Sequence, residues 1–135
     1  MPDLKPTLNE DHPSPAYHCG RLMAVFAQLQ RSALGDVGAG VVQRYFAAAS
    51  STPSLVLGRL SRLSQFHLDK LEGGLRHWYE SQIANIWARL GDSLPRTLDL
   101  EGQSLFALGY YQQLAHIRAG KSGIAAEQKE ETRNE

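Results

Sequence analysis

The segment Arg44-Tyr45-Phe46-Ala47-Ala48-Ala49-Ser50-Ser51-Thr52-Pro53-Ser54-Leu55-Val56-Leu57-Gly58-Arg59-Leu60 restricts the fold more than any other part of the chain. Its alanine run favours helix, and the Ser-Ser-Thr-Pro group interrupts that helix. Thr52 suits an N-cap, its hydroxyl oxygen accepting from a free N–H of the following turn. Pro53 then falls at the first helical position, where a missing N–H costs nothing. One helix ends and another begins within a few residues, and connections this short favour antiparallel neighbours.

The same pattern of apolar stripes and stop signals repeats along the chain and predicts five helices. The first spans about 16–32, with Leu22, Val25, Phe26 and Leu29 as its buried stripe and Tyr17, Arg21, Gln28 and Arg31 on the opposite, outward side. After the glycine-rich turn of residues 35–40, a second helix of about 40–49 buries Val41, Val42, Tyr45 and Phe46 and turns Arg44 outward. The third, about 53–71, buries Val56, Leu57, Leu60, Leu63, His67, Leu68 and Leu71, with Arg62 and Asp69 outward and Arg59 at the border. Gly73-Gly74 reads as its C-terminal stop. The fourth, about 75–90, points Tyr79, Ile83 and Ile86 inward, leaves Trp78 and Arg89 outside, and stops at Gly91. The fifth, about 100–118, is apolar almost all round, so it is expected at the centre of a bundle or beneath a partner. No stretch alternates with a period of two. The expected fold is therefore all-α, a compact bundle of about five helices in one domain over residues 16–119. Residues 1–15 are polar and proline-rich and read as a flexible lead-in, and residues 120–135 read as a flexible polar tail.

Charge narrows the function classes. The formal net charge is zero, yet residues 16–121 carry eleven cations against seven carboxylates, and nine of those cations are arginine. Guanidinium groups suit phosphate and carboxylate contacts better than ammonium groups do. No apolar run approaches the length needed to span a bilayer, and the N-terminus has no hydrophobic signal core. Cys19 is the only cysteine, so no intrachain disulfide forms and a reducing, cytoplasmic setting is expected.

Catalytic signatures are lacking: no glycine-rich phosphate loop, no nucleophile elbow and no cysteine pair. His18 and Cys19 are adjacent in sequence but point about 100° apart on a helix, so they do not form a dyad. His67, His77 and His116 have no chelating spacing, and a small metal protein or hydrolase built on them is a rival reading that metal analysis would settle. No catalytic residue, metal site or cofactor is expected. The candidate functional set is the arginines Arg59, Arg62, Arg21, Arg31, Arg44, Arg76 and Arg89. Gathered on neighbouring helix faces, they would form a basic track for a phosphate backbone, with Trp78, Tyr17 or Tyr111 stacking on unpaired bases or serving as a protein interface. An ordinary solvated bundle surface is the competing reading of the same residues.

Three blocks carry a resemblance to a known family: Ala16-Tyr17-His18-Cys19-Gly20-Arg21-Leu22-Met23-Ala24-Val25, Arg44 to Pro53, and Leu105-Phe106-Ala107-Leu108-Gly109-Tyr110-Tyr111-Gln112. In this order they resemble the C-terminal part of the large subunit of the type I-C CRISPR surveillance complex, Cascade. In that family the region is also made separately, by internal translation initiation, as the small subunit. The resemblance implies a chain of that kind, or a fragment of the large subunit. It implies a non-enzymatic subunit in antiviral defence, packed on the backbone and large subunits and on a second copy of itself. It also implies contact with the R-loop formed by guide RNA and target DNA, where base pairing reads sequence and protein holds the displaced non-target strand. A pure scaffold without DNA contact is the alternative.

Overall fold

The computed structural model describes residues 8–35, 43–91 and 94–133, with side chains described as far as Gly120, Gln43 excepted. Helix α1 spans Pro15–Leu34. A single 3-10 turn, Gln43–Tyr45, leads into the short α2, Phe46–Ser51. Helices α3 (Pro53–Asp69), α4 (Gly73–Leu90) and α5 (Leu100–Arg133) follow. The described residues contain no strand, and the all-α bundle expected from periodicity is the observed fold.

The centre of the bundle is α1. It is flanked by α5, α3 and α4 and touched by α2. Leu22, Met23, Ala24, Val25 and Leu29 are sealed from solvent, and so are Tyr17, His18, Arg21 and Gln28. The expected outward polar face of α1 is thus wrong for Tyr17, Arg21 and Gln28. Two glycines explain why. A Cβ on Gly20 would run into the Phe106 carbonyl, and one on Gly109 would run into the Tyr17 carbonyl. The α1 and α5 backbones therefore touch directly, and this close approach closes solvent out of the side of α1 that carries Tyr17 and Arg21. The buried stripe of α5 is Phe106, Tyr110, Gln113 and Ile117, while Leu100 (82 % exposed), Leu108 and Tyr111 face outward. The expectation of a central α5 exchanges places with the observed central α1.

Local signals also resolve differently in places. Thr52 does not cap α3; its hydroxyl donates backward to the Ala48 carbonyl at 2.9 Å and closes α2. The free amide of Ser54 at the start of α3 donates instead to the Pro95 carbonyl (3.1 Å), and Leu98 donates to Ser51 (3.1 Å), so the α4–α5 connection supplies the cap. Pro53 opens α3 as read. Gly73-Gly74 begins α4 rather than ending α3, because Gly73 sits at φ 64° where the chain reverses. The expected second helix starts at Gly40, outside the described residues, as do Val41 and Val42.

Residues 8–14 lie against α1: the Asn9 amide donates to the Tyr17 hydroxyl at 3.0 Å, and the His12 ring stacks on Tyr17 at 4.3 Å. At the other end α5 continues as backbone helix to Arg133, well past residue 118.

Candidate interaction surface

The first and third helices divide the arginines between inside and outside. Arg21 is 1 % exposed. Its Nε donates to Gln113 Oε1 (2.8 Å), and its Nη1 meets His18 Nδ1 (2.9 Å). His18 Nε2 lies 2.7 Å from the His12 carbonyl. A carbonyl only accepts, so Nε2 carries the proton, and Nδ1 is the acceptor for Arg21. Tyr17 is sealed inside, its hydroxyl donating to Gln112 Oε1. With residues 8–14 lying against α1 as they do here, neither Arg21 nor Tyr17 is on the outer surface where an unpaired strand would lie.

Other candidates are engaged or half-covered. Arg76 is shared between Glu80 (2.9 Å) and Asp69 (3.5 Å), and Arg89 pairs with Asp11 at 2.7 Å. Arg31 is half-buried at the end of α1, and Arg44 is exposed on the 3-10 turn. Trp78 is half-buried rather than outward, edge-on to Tyr79 (5.1 Å) and against the backbone of Gly120. Tyr111 is exposed, edge-on to Tyr110.

Arg59 and Arg62 remain. Both are exposed on α3 and have no hydrogen-bond or ion-pair partner among the described residues. They belong to a stripe that begins at Leu55 and ends at Phe66, at the spacings i, i+4, i+7 and i+11 that keep side chains on one helix face. Leu55 is 73 % exposed and Phe66 is 67 % exposed. The outward face of α3 thus presents two unpaired guanidiniums between two large apolar side chains. The arginines do not form the single track expected from the sequence, since Arg21 is inside and Arg76 and Arg89 already face carboxylates.

Residues 2–118 match the family of CRISPR-associated proteins Cas_Csd1. The chain belongs to the Csd1 family. No curated protein matches it. The Csd1 match runs through α4 and covers α5 as far as Arg118, so it includes the α1–α5 seam and the whole outward face of α3.

Within this Csd1 chain the cysteine and the histidines divide between buried and exposed. Burial pushes the Cys19 thiol up to about 12, so it is not a thiolate near neutral pH. His18 is held below its ordinary value, first by burial and then, against its bond to His12, by the Arg21 charge beside it. His67 is buried on α3 and likewise lowered by burial, whereas His77 and His116 are exposed. Among the described residues no three of His, Cys, Asp and Glu converge to hold a metal, and no helix is long and apolar enough to cross a membrane. Sequence reasoning missed Leu55 and Phe66. The available signal was their helix position: both fall on the arginine side of α3, opposite Leu57, Leu60 and Leu68.

Proposed function

We propose that this chain is the small subunit of type I-C Cascade, a non-enzymatic cytoplasmic protein that packs along the complex and stabilises the displaced strand of target DNA. Membership of a CRISPR-associated family is the frame for this reading. The observation that carries it is the α3 stripe, where Arg59 and Arg62 stand exposed with no counter-ion among the described residues and Phe66 stands one turn beyond Arg62. Free guanidiniums attract phosphates of any sequence, and an exposed aromatic ring offers a face on which any base stacks. A strand separated by guide pairing needs that kind of sequence-blind hold. The natural neighbours are the backbone and large subunits and a second copy of this chain.

The test is Arg59→Glu with Arg62→Glu, reconstituted into the complex. The variant is expected to assemble, to lose crosslinks to the displaced strand, and to bind target with a salt slope shallower by about 1.4, since each lost single-strand phosphate contact removes about 0.7. Normal assembly with unchanged affinity and slope overturns strand binding on this face. A pure scaffold role is favoured by a different observation, the exposure of Leu55 and Phe66, which suits a protein neighbour. In that case the same variant fails at assembly rather than at the strand.

A further inference from the structure

Arg21, a buried arginine without a carboxylate in contact, is the least settled charge among the described residues. A guanidinium has five N–H donors in a fixed fork. Arg21 commits two groups, Nε to Gln113 and Nη1 to His18, and both of those partners are neutral. None of the ion pairs among the described residues includes it. A cation taken out of water is costly unless an anion meets it. Arg21 is not walled off on every side, however. It lines a recess of about 340 Å³ together with Glu10, Asn85, Ala88 and Arg89.

We propose that this recess, between the start of α1 and the end of α4, is an oxyanion site that takes a phosphate group, with Glu10 and Asp11 as its displaceable cover. Arg21 forms the dry floor and Arg89 the wet rim, so an incoming phosphate meets two guanidiniums at different depths. The Asn85 amide adds a neutral donor. With the cover in place the recess is balanced: Asp11 holds Arg89 at 2.7 Å, and the Glu10 charge acts on Arg21 without direct contact. That cover is weakly held. The Asp11 side chain is 80 % exposed and that of Arg89 is 48 % exposed, a setting in which ion pairs contribute little. The backbone is pinned on both sides of these carboxylates, by the Asn9 amide on the Tyr17 hydroxyl and by His12 stacked on Tyr17 and bonded to His18, so it is the Glu10 and Asp11 side chains that turn outward while the segment stays. Lifting two carboxylates leaves two cations facing one cavity, and a phosphate replaces them with better geometry at Arg21. The site is separate from the α3 stripe and does not depend on strand binding there.

The experiment titrates the full chain with inorganic phosphate, and in a second arm with the dinucleotide dTpdT, following the arginine Nε–H signals by NMR. Phosphate from either source should shift Arg21 and Arg89 together. Response to inorganic phosphate alone identifies a free-phosphate site, and response to dTpdT identifies a strand phosphate; both support an oxyanion site. Glu10→Gln with Asp11→Asn should tighten binding of inorganic phosphate about three- to tenfold, the worth of one exposed ion pair and one nearby charge. Arg89→Gln, which alters an exposed side chain and leaves the core intact, should weaken it about tenfold or more. The proposal is overturned if neither probe shifts Arg21, if neutralising the cover leaves affinity unchanged, or if Arg89→Gln binds as tightly as the natural chain.

Discussion

The α1–α5 seam and the outward face of α3 invert each other's chemistry. At the seam, polar side chains lie inside: Tyr17, His18, Arg21 and Gln113 are almost wholly buried. On α3, apolar side chains lie outside, with Leu55 and Phe66 each about two-thirds exposed or more. The seam tolerates its polar groups because they bond to one another, Arg21 with Gln113 and His18, Tyr17 with Gln112; among the described residues the Gln113 Nε2 is the buried side-chain atom left without a partner. The α3 face has no such closure. Polar residues indoors therefore mark a contact made between two helices of this chain, and apolar residues outdoors mark a surface that expects company.

The sharpest way to break that contrast is to thicken each helix by one methyl. Gly109→Ala drives a Cβ into the Tyr17 backbone, which cannot rotate away as a side chain would. We expect a loss of about 3 kcal/mol or more, at the severe end of single substitutions. Gly58→Ala on α3 meets nothing within 4 Å. There we expect a gain of roughly 0.5–1 kcal/mol from helix propensity alone. Thermal or denaturant unfolding of the two variants decides the matter; comparable effects of the same sign would mean that the seam is not in backbone contact.

This contrast also explains what could be read from the sequence. The stripes of Leu22, Val25 and Leu29, of Leu57, Leu60 and Leu68, and of Tyr79 and Ile86 are buried as periodicity demands, because a single helix carries that information locally. The inward place of Arg21 and Tyr17 was not legible. It depends on Gln112 and Gln113, some 90 residues away, and on two glycines that let α5 approach. Both glycines lie inside the first and third blocks that carry the family resemblance, but nothing in either block marks a glycine as a backbone contact. Of the arginine track, Arg59 and Arg62 kept their expected outward place because they depend only on α3. Arg76 and Arg89 did stay near the surface, but the carboxylates that meet them come from a neighbouring turn and from the lead-in segment. Gly73-Gly74 was ambiguous in principle, since a glycine pair serves equally to end one helix and to turn into the next.

Acidification probes the two regions at intermediate strength. His18 at the seam and His67 on the inner side of α3 both have folded values below the ordinary 6.5. The unfolded chain therefore takes up protons first as pH falls. Their contribution to stability is complete above about pH 6.5 and is lost progressively below it. At His18 the added proton converts Nδ1 from the acceptor for Arg21 into a donor facing it, with His12 and Arg89 adding to the repulsion. At His67 the opposition is mainly burial, with Lys70 nearby. The melting temperature should decline between pH 7 and pH 5, and His67→Leu should decline less steeply than the natural chain. A flat profile across that window would sink the neutral-histidine assignment.

The smallest expected effect is the most informative about α3. Phe106 and Phe66 are the same residue type in opposite settings, the first sealed against Phe46 at 5.3 Å and the second 67 % exposed. Phe106→Ala removes a ring from a packed interior and should cost about 3–5 kcal/mol. Phe66→Ala should stay within about 0.5 kcal/mol of the natural chain, because the isolated subunit gains little from a ring left in water. A substantial loss on Phe66→Ala would place the ring in an intramolecular contact and remove it from the docking surface. A silent result in the isolated subunit, paired with weaker assembly or weaker hold on the displaced strand in the complex, separates a side chain retained for a partner from one retained for the fold.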